Sequence, residues 1–235
     1  MEQFRAAITR DATAPDIIDR LCAVGRYMSL RRMEELPAAA NEERMVFVAS
    51  GSAKLVVNAA RPTVADASKG AEQSVHNQIL AFHFPGDIVS VLRRSEGAFR
   101  LIALSDLDCI VFETDQFLDV AQDDPAVIRT VMQRSLEALH RSRGRMMQMG
   151  HKSARQRIAD FLVSMAERIC GCTCGDCEFD LPMSRRDIGD SLGLTIETVS
   201  RQFADLRAEG LIETQGRSKI HLTDLEALSH IRGST

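Results

Sequence analysis

The hydrophobic period changes along the chain, and each change marks an element. Residues 1–25 place Ile17, Ile18 and Leu21 on one face at helical spacing, which predicts a short helical lead-in. From Met45 the pattern becomes short apolar runs cut by turn residues. Val46-Phe47-Val48, a turn at Ser50-Gly51, Ala53–Val57, Ile79–Phe82 and Cys109–Phe112 read as strands, with Pro85-Gly86-Asp87 punctuating between them. Residues 59–77, rich in Ala, Ser, Asp and Lys, read as a long polar loop. Short strands with glycine turns and no long helix predict a β-barrel or β-roll over 26–115. The segment 116–150 is different: Ile128, Met132, Ser135, Leu139, Ser142, Met146 and Met149 recur at alternating spacings of four and three. That is a coiled-coil seam, with two small serines permitting close approach of a second copy. Val127, Val131 and Leu136 offer another apolar face that suits the chain's own barrel, and both faces can be used at once. Gly144 is a weak point within this helix. A further helix is predicted over Ser153–Ile169.

The last segment, 151–235, carries the most specific pattern. Ser184 and Asp187 form a capping box that opens a short helix, with Arg185 and Arg186 in its first turn. Gly193 supplies a bend, Thr195 is an N-cap, and the next helix can run to Gly210 at its C′ position. At about 100° per residue, Ile196, Val199, Phe203 and Leu206 cluster on one side of that helix, and Glu197, Ser200, Arg201, Ala204 and Ala208 on the other. A buried stripe thus anchors a helix whose N-terminal turn presents Glu197, Ser200 and Arg201 outward, as a helix entering a major groove requires. Arg201 can donate two bonds to guanine O6 and N7, whereas Glu197 only accepts, which suits a cytosine amino group or the Arg201 fork four residues on. Ser184, Arg185, Thr195 and Thr198 lie at helix starts, where side chains and free N–H groups bind phosphates. Leu211–Gln215 and Lys219–Leu222 read as two strands joined through Gly216, a wing on which Arg217 and Lys219 are further phosphate contacts. Thr223 and Glu226 are expected to cap a final helix, Asp224–Ile231. Together these elements predict an α+β chain: an N-terminal β-roll, a long dimerisation helix and a C-terminal winged helix-turn-helix.

Composition qualifies this picture. The 235 residues carry a net charge of −4, against expectation for a nucleic-acid protein. The charge is unevenly spread, however: from Arg129 to Arg157 there are eight Lys or Arg against one acid, Glu137. Lys152, Arg155 and Arg157 in that block fit either a solvated helix face or a surface turned to DNA. No apolar run approaches the roughly 18 residues of a membrane span, and no leader pattern opens the chain, so a cytoplasmic protein without membrane contact is expected. In that compartment its six cysteines are free, redox-active or metal-bound rather than structural disulfides.

The strings Met-Ser-Arg-Arg-Asp-Ile-Gly, from Met183, and Leu-Gly-Leu-Thr-Ile-Glu-Thr-Val-Ser-Arg, ending at Arg201, resemble the DNA-binding motif of the CRP/FNR superfamily. They are most similar to its FixK/FnrN branch. The resemblance implies that Glu197 and Arg201 contact bases in TTGA-type half-sites and that Ser200 adds a contact. It also implies a homodimer on a palindromic site, recruitment of RNA polymerase, and activation of low-oxygen-responsive genes. Cyclic-nucleotide-binding relatives hold the ligand phosphate with an Arg-Ser pair. Here that position aligns with Gly97-Ala98-Phe99, and Arg93, Arg94 and Arg100 fall at the wrong spacing, so cyclic AMP is not expected to bind. Oxygen-sensing relatives carry an N-terminal cysteine cluster. This chain has Cys22 alone there, and Cys109 within a predicted strand, both read as small hydrophobes. No cofactor is therefore expected in the β-roll. One group remains open: Cys170, Cys172, Cys174 and Cys177, four thiols in eight residues, which can hold a metal, act as a redox gate, or form a loop without ligand. The remote alternative is a β-barrel enzyme with a helical appendage. His76 and His83 lack accompanying ligand spacing, and no Ser/His/Asp order stands out.

Overall fold

The computed structural model describes residues 2, 4–5, 15–37, 43–59, 76–91, 93–94, 97–216 and 218–233. The polar segment read as a loop over 59–77 lies, for residues 60–75, outside the described residues. Two compact units divide the chain, residues 1–139 and 140–235.

The first unit opens with α1 (Pro15–Val24), whose Ile17, Ile18 and Leu21 are buried, as their spacing predicts. Among the described residues eight strands follow: β1 (Arg26–Leu30), β2 (Arg44–Ser50), β3 (Ala53–Ala59), β4 (His76–His83), β5 (Ile88–Val91), β6 (Arg93–Arg94), β7 (Gly97–Ala103) and β8 (Leu107–Glu113). They form two antiparallel four-stranded sheets, ordered β1-β8-β2-β5 and β4-β3-β7-β6. The continuous apolar run of β2 has a physical cause, because both faces of its sheet are covered. Met45, Phe47 and Ala49 join Ile110 and Phe112 in a core shared with Phe4, Leu21 and Phe117. Val46 and Val48 face the other way, into a second core with Leu101, Leu107 and Cys109. Cys109 is the small hydrophobe expected, and its burial pushes the thiol up to about 11. Cys22 is half-buried against the first core.

Four strands escape the hydrophobic pattern. β1 is an edge strand with mostly exposed side chains; β5, β6 and β7 are short or carry arginine and glycine. Gly97-Ala98-Phe99, the segment aligned with the phosphate-binding pair, lies at the start of β7.

After α2 (Thr114–Ala121) comes α3 (Pro125–His151), an unbroken 27-residue helix that continues through Gly144. Pro125 occupies its first position, and the Asp124 carboxylate accepts the Ala126 N–H at 2.9 Å. Within the first unit, Val127 and Thr130 are buried, and Ile128 and Val131 pack on the first core. Arg134 donates to the Gly86 carbonyl in the Pro85-Gly86-Asp87 turn. Leu136, assigned to this face from the sequence, is instead exposed, as are Met132, Ser135 and Leu139. The side chains of Met146 and Met149 lie outside the described residues; Ser142 is half-buried.

The second unit contains α4 (Ala154–Ile169), β9 (Cys177–Asp180), α5 (Arg185–Leu192), α6 (Ile196–Ala208), β10 (Ile212–Gln215), β11 (Lys219–Leu222) and α7 (Leu225–Gly233). Its sheet has three strands, β10-β11-β9, rather than the two expected. The additional strand begins at Cys177, and its alternation, Cys177 and Phe179 inside with Glu178 and Asp180 outside, is only four residues long. The capping of α7 also differs from expectation. Asp224 accepts the Ala227 N–H at 2.8 Å, while Thr223 donates to Gly210 O and Glu226 accepts from Gly175. Among the described residues no helix is long and apolar enough to cross a membrane.

Candidate nucleic-acid interface

Two short helices and the turn between them form the site. Ser184 and Asp187 complete the predicted capping box: the Ser184 hydroxyl accepts the Asp187 N–H at 3.1 Å, and Asp187 accepts the Ser184 N–H at 2.9 Å. Gly193 ends α5 in the left-handed region, at φ 65°, a conformation glycine adopts without a Cβ clash. Gly189, which sequence reasoning passed over, fixes how closely the helices approach. A Cβ there would stand 2.6 Å from the Leu194 carbonyl oxygen. Leu194 N–H in turn donates to Gly189 O at 3.0 Å. Thr195 then caps α6 by accepting the Thr198 N–H at 3.2 Å. Sequence could have flagged Gly189, since a glycine inside a polar, capped helix otherwise only weakens it.

Val199, Phe203 and Leu206 are buried and seat α6, while Glu197, Ser200 and Arg201 are exposed on its first turns. Ile196, placed with the buried set from its helical angle, is 39 % exposed. It occupies the first position of the helix, before the stripe reaches the core. Glu197 does not clasp Arg201. Its carboxyl is held below the usual range by its own backbone N–H, then the Thr195 hydroxyl, with Arg186 adding a smaller pull. Arg201 makes no hydrogen bond or ion pair among the described residues, which leaves its five donors available.

The expected phosphate contacts are distributed unequally. Ser184 and Thr195 are exposed at helix starts, and Thr198 is half-buried beside Thr195, their hydroxyls 3.1 Å apart. Arg185 lays its guanidinium over the Phe203 ring, 3.3 Å from the centroid, and burial pulls it down to about 10. It remains charged at neutral pH, yet its position clamps α5 to α6; the exposed cation of that turn is Arg186. Lys219 is paired with Glu178 at 2.6 Å across the wing. Arg217 lies outside the described residues.

The basic block's described members in this unit each have an internal partner. Lys152 bonds Asp160 at 3.2 Å, Arg155 forks onto Glu209, and Arg157 donates to Leu192 O at 2.8 Å, closing the carbonyl end of α5. Arg232 reaches Asp160 from α7 at 2.6 Å, so that buried carboxylate is held between two cations. These cations tie the unit together while Arg155 and Arg232 stay partly exposed.

The cysteine group resolves into three plus one. The sulfurs of Cys170, Cys172 and Cys177 lie within 4.8 Å of one another, with Cys174 exposed outside that trio. Burial pushes Cys177 up to about 12, with the Cys172 thiol adding to the shift, so the bare thiol is a poor nucleophile.

A capped helix pair, a glycine-set crossing and a three-stranded wing define a winged helix-turn-helix. Comparison with known proteins agrees. Residues 156–231 match the Crp-like helix-turn-helix domain. The chain is 33% identical over 155 residues to the transcriptional activator protein FnrL of Cereibacter sphaeroides, covering 64% of this chain and 62% of that protein. It is 33% identical over 135 residues to the nitrogen fixation regulation protein FixK of Bradyrhizobium diazoefficiens, covering 57% of each. The matched region thus spans less than two thirds of these curated relatives. The structure of FixK2 from Bradyrhizobium japonicum superposes with a TM-score of 0.71 at 28% identity, covering 90% of this chain and 99% of that one. A CooA mutant from Carboxydothermus hydrogenoformans, at 20% identity and a TM-score of 0.71 over 96% of this chain and 94% of that one, shares the fold. The helix-turn-helix unit is Crp-like, and the chain is similar to FixK-like members of the CRP/FNR family, which are transcription regulators.

Proposed function

We propose that this protein is a homodimeric activator of transcription that reads a palindromic, TTGA-type DNA site. The observation that carries the reading is Arg201: exposed on the first turns of α6, unpaired, and flanked by Glu197 and Ser200. A free guanidinium in that position suits a bidentate contact to guanine, and the adjacent carboxylate suits a cytosine amino group. Ile196, exposed and apolar one residue before Glu197, suits a thymine methyl. Ser184, Thr195, Thr198, Arg186, Lys219 and Arg217 are the candidate phosphate contacts, Lys219 by exchanging Glu178.

Dimerisation is supported by Met132, Ser135, Leu136 and Leu139, which line one exposed face of α3. Ile128 joins the core of its own unit, so the seam begins effectively at Met132. Activation, control of low-oxygen-responsive genes and contact with RNA polymerase are supported by the relatives named above, which include activators and nitrogen-fixation regulators. A cytoplasmic location suits that role. Independence from cyclic nucleotides is supported by the absence of an arginine-serine pair at Gly97-Ala98-Phe99.

The test is selection of bound duplexes from a random pool, with sedimentation of the same preparation. The expected result is a two-fold symmetric site with half-sites about 10–10.5 bp apart. Met132→Glu combined with Leu139→Glu should give monomers that lose that site. A double variant that still sediments as a dimer, or an enriched motif without symmetry, overturns the reading.

A further inference from the structure

The DNA-reading surface uses none of Cys170, Cys172, Cys174 or Cys177. The sulfurs of Cys170 and Cys172 stand 3.2 Å apart, and Cys177 completes a trio within 4.8 Å. Around a tetrahedral ion with metal–sulfur bonds of about 2.3 Å, neighbouring sulfurs lie about 3.8 Å apart. The three thiols are thus already gathered on the scale of one coordination shell.

Their backbone is fixed from both sides. Cys170 is the C-cap of α4, its N–H bonded to Ala166 O, and the Cys172 N–H returns to the same carbonyl at 3.3 Å. Cys177 opens β9 opposite Leu222 of β11. Between them Gly171 and Gly175 take left-handed conformations, at φ 72° and 73°, and fold the loop back on itself. Gly175 is tied to α7 twice: its N–H donates to the Glu226 carboxylate, and its carbonyl accepts the Leu225 N–H at 2.9 Å. A loop held at so many points loses little freedom on taking up an ion. Packing accounts for Cys177, which is buried, but not for Cys170, exposed, or Cys172, half-exposed, unlike Cys109 in the inter-sheet core.

We propose that Cys170, Cys172 and Cys177 bind one zinc ion as thiolates, with Cys174 turning in to close the fourth position. Zinc displaces four thiol protons to solvent and changes no oxidation state, leaving a four-thiolate centre of net charge −2. Four sulfur ligands in tetrahedral arrangement select zinc or an iron–sulfur cluster over harder ions. A single shell of this size suits one ion. The ion joins the end of α4 to the wing strand β9 and holds the loop against α7, a staple for the winged unit. This assignment stands independently of which DNA sequence the protein reads.

The experiment uses the full chain, expressed with zinc and purified under reductant. Metal content is measured by mass spectrometry, and the metal-stripped chain is titrated with cobalt(II). About one zinc per chain is expected, with sulfur-to-cobalt charge transfer and the visible bands of a tetrahedral thiolate site. Cys172→Ser should abolish stoichiometric zinc. Cys174→Ser should retain the ion, roughly tenfold or more weakly, with shifted cobalt bands as oxygen replaces sulfur. Should Cys172→Ser lose its far-ultraviolet dichroism, the wild-type cobalt spectrum decides alone. A wild-type chain without zinc and with all thiols titratable overturns the proposal, as does an iron–sulfur absorption, a cobalt spectrum without charge transfer, or a Cys170–Cys172 disulfide that zinc fails to prevent. Unchanged cobalt bands in Cys174→Ser would overturn the fourth ligand.

Discussion

Gly189→Ala separates what the helix propensity of a residue predicts from what its position demands. Within a helix, replacing glycine by alanine normally stabilises by about 0.5–1 kcal/mol. At Gly189 the new Cβ would lie 2.6 Å from Leu194 O, whereas ordinary contact begins at 3.4 Å, so that carbonyl must retreat by 3.4 − 2.6 = 0.8 Å. It is backbone, and Leu194 is also bound to Gly189 O through its N–H, so the turn cannot yield as a side chain would. Overpacking of this kind costs about 1–3 kcal/mol, which leaves a net loss of about 0–2.5 kcal/mol after the helix gain. For a unit of this size each kcal/mol lowers the melting point by about 4–8 °C. The displaced carbonyl immediately precedes Thr195, the cap of α6, so the shift carries Glu197, Ser200 and Arg201 with it. Hydrogen bonds tolerate a range of only about 0.5 Å. Breaking one bidentate pair to a base, about 1–3 kcal/mol, corresponds to roughly 5- to 150-fold weaker binding to the selected duplex, with little change on a scrambled one. Thermal melts and anisotropy titrations at fixed salt read both effects. A Gly189→Ala protein that melts at or above wild type and keeps its sequence preference would refute this account of the helix crossing.

Arg201→Ala should erase discrimination at one base pair of each half-site, about 1–3 kcal/mol, and leave other positions unchanged in a substituted-duplex series; full discrimination retained there would reassign the residue's role. Lys219→Ala should lower the slope of log affinity against log salt by about 0.9 for each phosphate left without its cation, alike for selected and scrambled DNA. Glu178→Gln, which frees Lys219 from its 2.6 Å partner, should strengthen binding to both duplexes, and a sequence-dependent response in either variant would place Lys219 at a base instead. His221 is raised above its ordinary value by Asp176 and by Glu213. A raised folded-state value makes its contribution complete below about pH 6.5 and lost as pH rises through the folded value. The melting-point advantage over His221→Gln should follow that course, and an advantage that grows with pH would refute the pairing.

The helix pair α5 and α6 was legible because three local signals coincide: the Ser184 and Thr195 caps, the αL glycine at 193, and an apolar stripe whose polar opposite holds Glu197 and Arg201. Each is set within a few residues, so sequence suffices. β2 and β8 were legible for a related reason, since burial on both faces makes their apolar runs continuous. Elements stabilised by distant partners were not. β9 depends on β11 for its hydrogen bonds and presents acids on its outer face, so its period-two pattern is only four residues long. Ile196 fits the helical angle of the stripe yet stays exposed, because angle does not tell how far the core extends along the axis. Gly189 stands out in sequence as a glycine inside a capped helix, but the reason for it is a tertiary fact, the position of Leu194 O.

Charge shows the same division with a functional consequence. Counting residues in Arg129–Arg157 left Lys152, Arg155 and Arg157 open as either a solvated face or a surface turned to DNA, but a count registers cations and not their partners. Arg134 is committed to Gly86 O, Lys152 to Asp160, Arg155 to Glu209 and Arg157 to Leu192 O. Arg185 is committed to the Phe203 ring. Cations committed to the fold contribute little to counterion release, which counts phosphates actually neutralised. The net charge of −4 leaves a weak long-range attraction to DNA. Non-specific affinity should then be low, and, with Glu197, Ser200 and Arg201 as the proposed base contacts, site recognition should draw a larger share of its free energy from them. Small displacements of α6 should therefore disturb binding to the selected site far more than binding to DNA in general.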